Sequence, residues 1–180
     1  MLETEVTQEM WKSVMGNNPG FFKEGDKYPV ENVSWGDCQD FCQALSGKLG
    51  VTITLPTEAQ WEYACRAGTT GRYAGYALDA MGWYDDNSDS KTHIVGQKNP
   101  NPWGLYDMHG NVYEWCSDWF GDYSGSATTD PTGASTGSHR VDRGGSWYDP
   151  AEDCRSANRN IYTPSYRNSD LGFRLALLVP

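Results

Sequence analysis

From Gly68 to the end of the chain a glycine, proline, asparagine, aspartate or serine falls every few residues, and only "NVYEWC" and "LGFRLALLV" alternate as strands do. A chain punctuated this often cannot be assembled from long helices or a broad sheet, so side chains reaching across loops must hold it. The means are present: Trp 8 and Tyr 11 stand beside Gly 20, while the mean hydropathy is only -0.68. Large amphipathic rings, rather than aliphatic runs, are the available fillers.

Before Gly68 the punctuation is sparser and three helices are expected. Thr7 to Met15 places Met10, Trp11, Val14 and Met15 at helical spacing, and "GNNPG" from Gly16 to Gly20 stops it. Trp35 to Leu49 puts Trp35, Cys38, Phe41, Cys42 and Leu45 on one face, with Gly50 after the end. "LPTEAQWEYACRAG" opens with Thr57 and Gln60 in capping-box spacing, turns Trp61, Ala64 and Cys65 inward, and ends at Gly68. With no repeat or linker in sight, residues 1–180 read as a single α+β domain.

Lys+Arg 14 against Asp+Glu 24 gives a net charge of -10, which repels phosphate backbones and anionic headgroups and argues against nucleic-acid partners. No apolar run approaches the roughly 20 residues that cross a bilayer, so direct membrane insertion is not expected. The acidic start "MLETEVTQ" is no signal peptide, leaving an intracellular chain or one whose export segment has been removed. Cysteines 38, 42, 65, 116 and 154 form no C-x-x-C pair and their odd number cannot close a disulfide framework; free or buried thiols are expected.

His93, His109 and His139 sit in polar, glycine-rich surroundings outside any H-E-x-x-H or G-x-S-x-G context, and there is no P-loop. An ordinary hydrolase is therefore not indicated. In "YDMHGNVYEW", Asp107, Gly110, Val112 and Glu114 could offer carboxylate and carbonyl oxygens to a hard cation; alternatively Asp107 caps the turn and Glu114 pairs with a buried arginine.

The stretch Arg143–Leu177, "RGGSWYDPAEDCRSANRNIYTPSYRNSDLGFRLAL", mixes two kinds of residue. Arg143, Arg155, Arg159 and Arg174 have the donor fork to tie loop carbonyls and read as struts. Between them Tyr148, Asp149, Asp153, Ile161, Tyr162, Tyr166, Ser169 and Asp170 follow no helix or strand period. Tyrosine with small polar residues on a rigid support is what binding loops use.

"EVTQEMW", "PVENVSWGDCQDFCQAL", "LPTEAQWEYACRAG", "NPWGLYDMHGNVYEWCSDW", "RVDRGGSW", "CRSANR" and "LGFR" closely resemble the formylglycine-generating enzyme, or sulfatase-modifying factor, family, in the family's order and over nearly the whole chain. The resemblance implies a C-type-lectin-like fold of low regular structure content with its chain ends close together. The family's leading strands before "EVT" are missing from this stretch, which implies an N-terminally trimmed form. Enzymes of the family oxidise a sulfatase cysteine with two thiolates that bind copper(I) just after "GGS". Here Asp149 fills the first of those positions and Cys154 is the segment's only cysteine, so neither copper nor the oxidase is expected, although the oxidase remains the alternative reading. The family's calcium site carries over onto Asp107, Gly110, Val112 and Glu114.

A second branch resembling this chain is the variable proteins of diversity-generating retroelements, found in phage tropism determinants and spirochaete surface lipoproteins. There, template adenines are replaced at random, so asparagine codons of the AAY type scatter into Tyr, Asp, Ile, Ser or Asn but never Trp, Met, Lys, Gln or Glu. None of those five occurs between Arg155 and Arg174; Trp147 and Glu152 must then be frame. Restoring Asn gives "GGSWNN…CRSANRNNNTPSNRNNNLGFR", the asparagine-rich form of such a template. The resemblance implies a variable segment over about residues 140–177, no required cofactor, an unidentified protein or glycan ligand, and a place on the cell surface or outside the cell.

Overall fold

The computed structural model describes residues 1–123 and 125–178. Helix α1 spans Gln8–Met15, α2 Trp35–Leu49, α3 Glu58–Arg66 and α4 Leu78–Met81. The strands are β1 Thr52–Thr54, β2 Tyr113–Trp119, β3 Arg140–Arg143, β4 Asn160–Tyr162, β5 Leu171–Gly172 and β6 Ala176–Leu178. The architecture is mixed α+β with modest regular structure, as the density of turn residues requires.

The three expected helices form, each started by its own cap. The Thr7 hydroxyl accepts from Met10 N, and Ser34 with Asp37 and Thr57 with Gln60 make reciprocal capping boxes. The end of α3 differs by one residue: Ala67, not Gly68, is the left-handed cap at φ 45. Buried Cys38, Phe41 and Cys42 of α2 join Trp11 of α1 and Phe173 in the main core, where Trp11 stacks on Phe41 at 5.3 Å and Phe173 meets both rings edge-on.

Four strands form one sheet in the order β4-β3-β2-β5, with β2 antiparallel to β3 and parallel to β5; β1 and β6 make a separate antiparallel pair. "LGFRLALLV" is not one strand but β5 and β6 flanking Phe173–Leu175, and Val179 lies outside the described residues. The interruption has a cause: the N-terminal segment runs alongside, Val6 N donating to Phe173 O and Leu2 N to Leu175 O. The N-terminal segment therefore lies against the chain between β5 and β6. All five cysteines are free and buried, as their odd number and apolar settings suggest. Among the described residues no helix is long and apolar enough to cross a membrane.

Candidate functional site

Strand β3 ends at Arg143, and the chain leaves it through two glycines held at positive φ, Gly144 at 105 and Gly145 at 75. A Cβ at Gly145 would lie 2.6 Å from Cys154 Sγ and 2.9 Å from its Cα, so this turn admits no side chain. The tightness pulls Cys154 under the loop and fixes where Trp147, Tyr148 and Asp149 emerge.

Three arginines hold the segment from beneath. Arg143, fully buried, donates to Glu58 Oε1 at 2.7 Å, to Glu62 Oε2 at 2.6 Å and to Ser156 O at 2.6 Å. Arg159 grips both Glu58 oxygens at 2.6 and 2.8 Å and reaches Gly121 O. Arg174, also fully buried, takes both Glu114 oxygens at 2.6 Å and the carbonyls of Tyr106, Leu2 and Glu3. Arg155 does not belong with them: among the described residues its guanidinium bonds the nearby Glu152 carbonyl and ties no distant loop.

Among the residues expected to be displayed, Tyr148 is 69% exposed and Tyr166 36%. Asp149, Asp153 and Ser169 are half-buried, and so are Ile161 and Tyr162. Two corrections follow. Ile161 and Tyr162 are not loop residues but lie on β4, the sheet's edge strand, opposite Val141 and Arg140 of β3. The bare three-residue strand "NIY" between turn residues offers no alternation long enough to read. Asp170 is buried, not displayed, with its carbonyl accepting from Tyr113 N.

Rings line the face on two sides. Tyr162 stacks on Tyr166 at 4.1 Å. On the other side Phe21, Phe22, Trp147 and Tyr148 form a chain of edge-to-face contacts at 5.1, 5.4 and 5.4 Å. Phe21 and Phe22 come from far upstream and were not singled out in the sequence; the only signal is two adjacent aromatics in the turn-rich "GNNPGFFKEG".

Carboxylates gather beneath. Asp149 accepts from the hydroxyls of Ser146 and Tyr113, and burial raises its acid range. Burial pushes Asp142 well above the usual carboxylate range, Asp170 up to about 6 and Glu31 to about 7.

The two carboxylates of the expected calcium set are engaged differently. Glu114 has both oxygens bound to Arg174, one of them also accepting from Trp61 Nε1 at 2.6 Å, the buried-arginine pairing that was the other reading of this motif. Asp107 Oδ2 accepts from Gly96 N, while its buried Oδ1 has no hydrogen-bond partner among the described residues. Gly110 lets the chain pass Trp83, whose carbonyl would be 2.2 Å from a Cβ. Among the described residues no three His, Cys, Asp or Glu side chains are grouped to hold a metal. Cys154 packs with Leu78 and Tyr84, whereas Cys116 lies in a different cluster with Trp61 and Cys65.

A cleft of about 720 Å³ opens elsewhere, between α3 and the chain after β2. Its Glu58 and Glu62 already pair with Arg143, Arg159 and Arg66.

Residues 1–178 match the sulfatase-modifying factor enzyme 1-like domain. The chain is 40% identical to the formylglycine-generating enzyme of Streptomyces coelicolor over 170 residues, covering 83% of this chain and 52% of that protein. It is 38% identical to the serine/threonine-protein kinase pkn1 of Chlamydia pneumoniae over 156 residues, which is 83% of this chain but 24% of that one. It thus spans between about a quarter and about half of these relatives. Among solved structures, Treponema denticola variable protein 1 superposes with a TM-score of 0.92 at 38% identity, covering 95% of this chain and 81% of that chain. PvdO from Pseudomonas aeruginosa gives 0.84 at 29% identity, covering 98% and 79%. The ordered motifs, the arginine-braced C-terminal loops and these matches agree: the chain belongs to the sulfatase-modifying factor family and has its C-type-lectin-like, formylglycine-generating-enzyme-type fold.

Proposed function

We propose that this chain is a ligand-binding variable protein of a diversity-generating retroelement, carrying exchangeable residues on a rigid frame outside the cell and performing no catalysis. The observation that carries the reading is the division of labour after β3. The arginines at 143, 159 and 174 are spent inside the protein, while the codon-exchangeable Tyr148 and Tyr166 are turned outward. The likeness to a Treponema denticola variable protein supports it. Loops already ordered by the frame lose little entropy on binding, and a few aromatic anchors can supply most of the energy. With Asp149 in the first thiol position, the chain lacks the pair of thiolates its enzymatic relatives would use.

DNA sequencing beside the gene tests this. The expected result is a near-copy of the codons for Arg143–Leu177, differing only where the copy has adenine, next to a reverse-transcriptase gene. Absence of a repeat contradicts the reading, as does copper(I)-dependent oxidation of a cysteine peptide, which the identity to formylglycine-generating enzymes keeps as the rival activity. Surface display has its own check: protease applied to intact cells should cleave the full-length protein, and protection refutes an outside location.

A further inference from the structure

Phe21 stands in a loop that the protein holds with buried polar groups, yet the residue is 69% exposed. Gln8, buried, donates from Nε2 to Phe22 O at 2.7 Å and accepts from Asn18 Nδ2 on Oε1 at 2.8 Å. Glu31, fully buried, accepts from Phe22 N at 2.9 Å on Oε1, while Oε2 has no partner among the described residues. Asn32 Nδ2 reaches Pro19 O at 3.0 Å. Taking an amide and a carboxylate out of water to fix one surface loop costs free energy, and Phe21, mostly in water, returns little of it.

The loop abuts the turn after β3. Phe22 meets Trp147 edge-on, and Phe21 and Tyr148 extend the series, so four rings touch in succession and the two outer residues are each 69% exposed. Trp147 is itself pinned: Nε1 donates to Ser169 O at 3.1 Å, N to Asn111 O at 2.9 Å, and its carbonyl accepts from the Ser88 hydroxyl at 2.7 Å. Single exposed aromatics are ordinary, whereas a contiguous series on fixed backbone marks a contact surface. Only Tyr148 of the four is exchangeable; Trp147 is frame, and Phe21 and Phe22 lie outside residues 140–177. Accessible carboxylates flank the series. Asp85 N donates to Asp149 O at 3.1 Å, which brings exposed Asp85 and Asp86 beside the Tyr148 end, and exposed Glu152 follows in the same loop. Around the rings the acids Glu24, Asp85, Asp86, Asp149 and Glu152 outnumber the bases Lys23, Lys91 and Arg155, and Lys91 already pairs with Glu24 at 3.5 Å.

We propose that Phe21, Phe22 and Trp147, with Asp85 and Asp86, form a constant docking strip beside the exchangeable residues, which takes an arginine-bearing segment of a protein ligand. The proposal rests on the reading of this face as the binding face and adds a part of it that diversification leaves untouched. Guanidinium answers both features of the strip: its flat, weakly hydrated face stacks on exposed rings while its fork donates to the carboxylates beside them. A sugar can pack on the rings but leaves the carboxylate charge unanswered, and the net charge of -10 draws basic partners and repels phosphate. The strip thus holds a feature common to the ligands, and Tyr148 with the other exchangeable residues chooses among them.

The test titrates the full chain with a capped peptide of alternating glycine and arginine, its neutral citrulline counterpart and methyl β-galactoside, followed by NMR of the aromatic rings. The arginine peptide is expected to shift signals of Phe21, Trp147 and Tyr148, to bind about tenfold more tightly than the citrulline peptide, and to weaken as salt rises. Phe21→Ser should weaken arginine-peptide binding about threefold or more at an unchanged melting temperature, and Phe21→Tyr should retain it. Asp85→Asn combined with Asp86→Asn should weaken it by about the same factor and flatten the salt dependence. Tyr63→Ser removes an equally exposed ring on α3 and should change nothing. Citrulline binding equal to arginine, full affinity in either strip variant, or a lowered melting temperature in Phe21→Ser overturns the strip. So does an equal loss with Tyr63→Ser, which makes the binding a general property of exposed rings. The galactoside shifting the same signals at lower concentration overturns the protein ligand. Peptide binding without a template repeat leaves the strip standing and removes only the diversification; a repeat without peptide binding does the reverse.

Discussion

Arg174 spends its fork on Glu114 and three backbone carbonyls, whereas Tyr148 keeps most of its ring in water. Substituting each to alanine should separate the two roles. Arg174→Ala strands a buried carboxylate and is expected to cost about 3–5 kcal/mol in urea denaturation. Tyr148→Ala, with little burial to lose, should change stability by less than about 0.5 kcal/mol. Comparable losses from both would contradict the division into frame and face. The arginines were legible because so basic a residue recurs in an acidic chain, and the ion pair of Glu114 with a buried arginine was one of two readings open from "YDMHGNVYEW". Asp142 and Glu31 were not legible. A carboxylate's burial depends on what long-range packing lays over it, and Glu31 comes within reach of Asp170 only in the fold.

Helices and strands fared differently for a physical reason. Each long helix carries its signal locally, in a cap and an apolar stripe, and α2 spans Trp35–Leu49 as its sequence requires. Strands β1, β3 and β4 are three or four residues long, too short for alternation to register, and exist because neighbours pair with them. On β4 this matters for function. An edge strand keeps its backbone pairing with β3 whatever side chain it bears, so Ile161→Ser should cost less than about 1 kcal/mol by chemical denaturation. The turn that feeds the face is the opposite case. Gly145→Ala places a Cβ at φ 75 against Cys154 and should lose more than about 2 kcal/mol; a neutral outcome would mean the turn can open.

Across the whole molecule, buried acids make stability depend on pH in an unusual direction. Glu31 is held up to about 7 and Asp170 to about 6, above the roughly 4 of an unfolded carboxylate, so the folded chain binds more protons between those limits. Their contribution is fully favourable at the acid end and is lost as pH rises through that window. The melting temperature should therefore be higher at about pH 5.5 than at about pH 8 at fixed ionic strength, and a fall on acidification would contradict the burial of unpaired carboxylates. One chain end can be both stiff and exchangeable because its fixed charges face inward to partners from α3, β2 and the N-terminus, leaving the outward residues few structural duties. The measurement that tests this most directly is a folding screen of a library randomised with NNY codons at Tyr148, Asp149, Ile161, Tyr162, Tyr166 and Ser169, compared with one randomised at Arg143, Gly144, Gly145, Arg159 and Arg174. Most members of the first library should unfold cooperatively near the parent melting temperature while the second collapses; equal failure in both would contradict the account.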